Sequence, residues 1–213
     1  MVEHRAPRVK ICGMTCADDV RSALAAGADA LGFVHHARSP RHLEARDASE
    51  LVRDLGAAVT TVAVMVDAEP EPALAWLEES GLDFLQLCGG ERAEDWCGFP
   101  RPILRRVAVA PAARDELAAW DGVALAFVLD HPGGPGGTGR RVDDELAAEL
   151  ARGAPCLLAG GLDEENVERA VRAVRPLGVD ASSRLELAPG RKDTARVRVF
   201  VQRAKRALWE VSR

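Results

Sequence analysis

The stretch Lys10-Ile11-Cys12-Gly13-Met14-Thr15 places a thiol at the end of a short apolar run that includes Val9 and Ile11. A strand should stop there. Thr15 followed by Asp18 has capping-box spacing, ahead of Val20, Leu24 and Ala25 at helical spacing. Cys12 is therefore expected at the C-terminal tip of a first strand, just before a first helix. A thiolate so placed gains from the positive end of the helix dipole. Side chains alternate along a strand, so Lys10 points to the same side as Cys12. An ammonium inside a fold needs a carboxylate partner, and Asp180 in the last apolar run is the candidate.

Asp130 ends the run Leu125-Ala126-Phe127-Val128-Leu129, has no partner nearby in sequence and is followed by glycines. As a plain turn former it would need no further role. At the mouth of a barrel, burial can raise the pKa of such an acid and make it a proton donor at neutral pH. Gly160-Gly161 and Ser182-Ser183 follow the seventh and eighth apolar runs. The loops after strands seven and eight of a barrel commonly hold a phosphate, because glycine lets backbone N–H groups approach an anion. Arg41, in Ser39-Pro40-Arg41-His42-Leu43, follows the second run. It is either a surface arginine or a planar partner for a carboxylate. The run Gly136-Gly137-Thr138-Gly139 lacks the Lys-Ser/Thr ending of a nucleotide-binding loop.

These residues need elements to hold them. Short, mostly continuous apolar runs lie at 9–12, 30–34, 60–66, 84–88, 103–109, 124–129, 155–158 and 178–180. Strands covered on both faces look like this. Amphipathic segments alternate with them at 18–26, 48–55, 70–80, 93–97, 113–120, 144–152, 164–174 and 194–208. Leu51 and Leu55, or Val167, Val171 and Val174, form the core-facing stripes. Alternation of this kind implies parallel strands with right-handed crossovers. Eight units predict a single (β/α)8 barrel of the α/β class over residues 1–213, with an open doubly wound sheet as the rival. The glycine-rich segment 130–141 reads as a long loop after strand six, not as a linker.

Composition narrows the partners. With 213 residues, 47% of them hydrophobic, the chain can build one sizeable core but no extra domain. A formal net charge of −5 argues against a nucleic-acid surface. The paired arginines Arg105, Arg106, Arg140 and Arg141 are expected mostly on solvated faces. No apolar run reaches the ~20 residues that span a membrane, and the N-terminal segment lacks a secretory core. Five cysteines match no zinc pattern, so a reduced, cytoplasmic protein with free thiols is expected. Monomer and homodimer both stay open.

The motifs VKICGMT, GADALGFV, SPRHL, LQLCGGE, VLD…GGTGRRVDD, LAGGL and VDASSRLE…PGRKD occur in this order across nearly the whole chain. The set resembles phosphoribosylanthranilate isomerase, the enzyme of the Amadori rearrangement in tryptophan biosynthesis. The resemblance implies that Cys12 is the general base, that Asp130 is the general acid and that Arg41 meets the anthranilate carboxylate. It implies a phosphosugar substrate and no metal or organic cofactor, because the substrate's own amine is the electron sink. Three places depart from the family. Cys88 stands where a His is common, so contacts to the aromatic ring are in doubt. Arg184 stands where a Gly is common, and would be strained if that position needs positive φ. His35 or His36, and Ala37, replace an aromatic and a Pro. Arg184 is expected to compensate by touching the phosphate. Two rivals are a bifunctional isomerase that also serves histidine biosynthesis, and a phosphosugar-binding barrel with impaired catalysis. The first would carry a carboxylate in place of Cys12.

Overall fold

The structure, a computed structural model, describes residues 6–56, 58–134 and 139–213. Eight parallel strands close a barrel in sequence order: β1 (Val9–Cys12), β2 (Ala30–His35), β3 (Thr60–Met65), β4 (Phe84–Leu87), β5 (Ile103–Ala108), β6 (Ala126–Asp130), β7 (Cys156–Leu158) and β8 (Gly178–Ala181). Helices α1 (Ala17–Ala26), α2 (Ala45–Val52), α3 (Pro70–Ser80), α4 (Ala113–Ala119), α5 (Asp144–Gly153), α6 (Val167–Val174) and α7 (Thr194–Val211) cover its outside. The ring closes through β1 and β8, with Lys10 opposite Asp180. A two-stranded antiparallel excursion, β9 (Glu186–Ala188) and β10 (Arg191–Lys192), follows β8.

Two apolar clusters explain the continuous runs. One packs strands against helices, with Ile11, Leu31, Leu85, Val107 and Leu129 facing outward. The other fills the barrel interior with Val62, Phe84, Leu104, Val128 and Leu157. Each strand must be apolar on both faces, so alternation is lost and the strand is read from length alone. The interior becomes polar toward the C-terminal mouth, where Cys12, Asp130 and Asp180 gather.

Several sequence expectations shift. Segment 93–97 is a 3₁₀ turn, Ala93–Trp96, anchored by the buried Trp96. Helix α2 begins at Ala45, and Leu55 lies beyond its end. Small alanines, Ala45 and Ala48, make its buried side, so its stripe is weaker in sequence than the Leu51–Leu55 pair suggests. Helix α6 begins at Val167, because Asp163 turns the preceding residues by accepting the Glu165 and Asn166 N–H groups. The capping box at Thr15 is not formed. Cys16 is the N-cap of α1 and makes no side-chain cap; the Thr15 hydroxyl donates to the Gly190 carbonyl instead. Pro135, Gly136, Gly137 and Thr138 of the glycine-rich loop lie outside the described residues.

Candidate active site

The site begins with the charged pair under the mouth. Lys10 is completely buried, and its Nζ lies 3.0 Å from both carboxylate oxygens of Asp180. This confirms the expected partner. Removing one member of a buried pair costs about 3–5 kcal/mol, so each holds the other in place. Burial alone would weaken the ammonium, but Asp180 and then Cys12 outweigh it and raise the Lys10 pKa. Lys10 therefore remains a cation beneath the thiol.

Cys12 lies one layer above, beside Gly32 in the β1–β2 register. A Cβ on Gly32 would stand 2.7 Å from the Cys12 Sγ and 3.1 Å from the Lys10 Nζ. The missing side chain makes room for the thiol and the ammonium. Burial pushes the Cys12 pKa up; Lys10 and Lys192 oppose it, and Asp180 adds to it. Desolvation is the largest of these influences and disfavours the thiolate. The resting group is a thiol, and it becomes a stronger base once ionised.

Arg41 reaches the same mouth from the β2–α2 loop. Its Nε and Nη2 donate to the two Glu186 oxygens at 2.8 and 2.6 Å. Lys192 also donates to Glu186, at 2.7 Å. Burial disfavours the Glu186 carboxylate, but the bonds from Arg41 and Lys192 prevail and hold its pKa below the usual value. Arg41 is thus clamped through its Nε and Nη2. Glu186 and Lys192 escaped the sequence reading, because only the β9–β10 excursion brings them to a loop 145 residues away. The motif PGRKD contained Lys192 but did not show where its ammonium goes.

The two expected anion loops lie side by side. Gly160 and Gly161 have φ of 76° and 61°, a region that side chains avoid. A Cβ on Gly161 would sit 2.6 Å from the Gly139 carbonyl oxygen. The Ser182 hydroxyl donates to the Cys12 carbonyl at 2.9 Å, tying this loop to the tip of β1. Ser183, Arg184 and Leu185 form a 3₁₀ turn. The Arg184 φ is not in the positive region, so the suspected strain is absent. Its half-exposed guanidinium lies 3.5 Å from Asp163 Oδ2 and lines the mouth.

Asp130 completes the rim. It has partners that the sequence did not show: its Oδ1 accepts the His131 N–H at 2.8 Å, and the Arg106 Nε is 3.7 Å from its Oδ2. The Arg106 Nη2 donates to the His131 carbonyl at 2.6 Å. Cys88 is buried at the tip of β4; the Gln86 amide donates to its Sγ at 3.4 Å, and burial pushes its thiol up to about 12.

The expectation of solvated arginine pairs fails for three of the four residues. Adjacent on β5, Arg106 faces the cavity and Arg105 the outer layer. Arg105 is buried there between Glu91 and Glu116. Arg141 is partly buried, and donates to the Gly160 carbonyl at 3.0 Å. Arg140 is exposed.

All eleven expected site residues belong to this mouth. Ten of them apart from Lys10 line one cavity of about 470 Å³, and Lys10 lies just beneath it. That volume falls in the range that holds a small organic ligand. A carboxyl group, a thiol, a clamped guanidinium and a glycine-lined pocket therefore face a common space.

Comparison with known proteins identifies the family. The family model for N-(5'phosphoribosyl)anthranilate (PRA) isomerase matches residues 9–203. An N-(5'-phosphoribosyl)anthranilate isomerase of Geobacter sp. (strain M21) is 44% identical over 204 residues, covering 93% of this chain and 98% of that protein. One of Pseudomonas aeruginosa (strain LESB58) is 45% identical over 202 residues, covering 92% and 94%. The crystal structure of the Thermus thermophilus phosphoribosyl anthranilate isomerase matches with a TM-score of 0.83 at 36% identity, covering 93% of this chain and 98% of that one. A further such isomerase, in complex with reduced 1-(o-carboxyphenylamino)-1-deoxyribulose 5-phosphate, has a TM-score of 0.82 at 32% identity, covering 94% and 99%. Matched along nearly its whole length in sequence and in fold, the chain belongs to the N-(5'-phosphoribosyl)anthranilate isomerase family.

Proposed function

We propose that this chain, acting as one unit in the cytoplasm, isomerises N-(5'-phosphoribosyl)anthranilate to 1-(2-carboxyphenylamino)-1-deoxyribulose 5-phosphate. The observation that carries the reading is the placement of Cys12 and Asp130 on one cavity bounded by the Gly160-Gly161 and Ser182-Ser183 loops. Those loops take the phosphate, and the Arg41 Nη1 meets the anthranilate carboxylate. Cys88 lines the same cavity.

Asp130 gives its proton to the furanose ring oxygen. The C1–O bond breaks as the anthranilate nitrogen lone pair forms a C=N bond. Cys12, having lost its own proton to solvent, takes the proton from C2 as a thiolate, and the released electron pair forms C1=C2 while the nitrogen regains its lone pair. The enolamine tautomerises to the ketone. Lys10 stabilises the Cys12 thiolate that this step consumes, a use of fixed charge in a shielded site. Asp180 holds that cation in place. Turnover of the substrate by purified protein, and growth of a tryptophan auxotroph lacking this isomerase, test the reading. Folded protein that binds product but turns nothing over would overturn it in favour of a binding barrel.

Arg184 is proposed to swing from Asp163 to the bound phosphate. A guanidinium can make two charge-assisted bonds to an anion. Arg184→Gly should raise KM by about tenfold, equivalent to about 1.4 kcal/mol, and leave kcat unchanged. No backbone strain exists for glycine to relieve, so the melting temperature should not rise. An unchanged KM in steady-state kinetics would place the side chain in solvent throughout.

A further inference from the structure

Beside the reaction cavity lies a second cleft of about 450 Å³, lined by His35, His36, His42, Glu44, Asp67 and Glu69 among others. No lysine or arginine is among its lining residues, so its charge suits a cation. His35, His42 and Glu44 each offer a ligand atom, and these atoms lie within 4.8 Å of one another. We infer that His35, His42 and Glu44 bind a divalent transition-metal ion of the zinc, cobalt and nickel class.

The backbone prepares the three donors. His35 is the last residue of β2. A parallel bridge from Val34 to His42, and a bond from the Leu43 N–H to the Val34 carbonyl at 2.8 Å, pin the far end of the loop beside it. Around Leu43 the chain is extended, so His42 and Glu44 project to one side while Leu43 packs against the core. His42 Nε2 and Glu44 Oε1 are 2.9 Å apart. An imidazole and a carboxylate that close can share a metal ion in place of a proton.

The His35 ring is oriented as a metal-binding imidazole requires. Its Nδ1 lies 3.1 Å from the Leu43 carbonyl oxygen. That contact puts the proton on Nδ1 and leaves the Nε2 lone pair free, the arrangement that outer-shell carbonyls impose on metal-bound histidines. Trp76, 5.2 Å away between ring centroids, packs against the same ring. His42 Nδ1 is buried and has no hydrogen-bond partner among the described residues. Metal–nitrogen bonds are about 2.0–2.1 Å, so donors that now lie within 4.8 Å of one another must draw in around the ion. Glu44 is well exposed and free to move. Two imidazoles and a carboxylate select borderline transition metals over magnesium or calcium, which prefer all-oxygen sites. The cleft side leaves room for water as a further ligand. The ion would tie β2 to the far end of the loop that carries Arg41, outside the reacting atoms.

Cobalt(II) is the probe, because its absorption separates ligand types. Purified protein in thiol-free buffer is titrated with CoCl2, with MgCl2 as the control, and its melting temperature is followed. The expected result is one Co²⁺ per chain with the visible bands of nitrogen and oxygen ligation, no thiolate charge-transfer band, and a higher melting temperature by mass action. His42→Ala should weaken binding by at least about tenfold, the loss that even an outer-shell partner produces. Glu44→Gln, at an exposed position, should weaken it without changing the metal-free melting temperature. It carries the test if His42→Ala is itself unstable. The doubly substituted Cys16→Ser, Cys97→Ser protein should bind as before. Absence of Co²⁺ binding, binding unchanged in Glu44→Gln, or a thiolate band lost on removing those cysteines would each overturn the assignment.

Discussion

Cys12→Ser is expected to lower kcat by about 10²–10⁴, the usual loss when a general base is removed. The hydroxyl fits the space beside Gly32 that the thiol now fills, so KM should stay near its parent value. Serine is far too weak a base at neutral pH to replace a thiolate. The pH profile adds a second check. Burial lifts the Cys12 pKa above its ordinary value, so in the free enzyme the active thiolate becomes more populated as pH rises. The rising limb of kcat/KM for the parent should therefore extend beyond neutral pH, and the residual activity of Cys12→Ser should lack that limb. A near-normal kcat in the variant would remove Cys12 from the chemistry.

Asp130→Asn should lower kcat by a comparable factor, about 10²–10⁴ for loss of a general acid. The amide has the same shape and its carbonyl oxygen can still accept the His131 N–H. It cannot give a proton to the ring oxygen. A melting curve matching the parent would show that the fold survives, and rapid-quench kinetics should show ring opening as the slowed step. Unchanged kcat would mean that another group assists ring opening, with Arg106 as the nearest cation.

The parts of this site that the sequence revealed share one property: each sits at a chain-local transition. Cys12, Asp130 and the Gly160-Gly161 pair mark points where an apolar run meets a loop, and barrel geometry brings all such points to one face. Lys10 and Asp180 were legible because strand alternation and ring closure predict their meeting. What stayed hidden depends on phase or on distance. On β5 both faces are covered, so nothing in the run Ile103–Ala108 says that Arg105 points outward and Arg106 inward. The clamp of Glu186 and Lys192 on Arg41 arises from an excursion after β8, which no periodicity announces. The burial that raises the Cys12 pKa is likewise hidden, because helix position is visible in sequence and depth is not.

The seam between β1 and β8 has a consequence for chemical vulnerability. Lys10 and Asp180 are 170 residues apart, and the bond from Ser182 to the Cys12 carbonyl spans the same interval. In a chain where this seam is open, Cys12 is a solvated thiol that ionises as readily as free cysteine. Closing the seam buries it and makes it harder to ionise. The newly made or locally unzipped chain therefore presents this sulfur to any small electrophile or oxidant. In the finished ring the sulfur still lines the mouth but is harder to ionise, so its reaction with them is slowed.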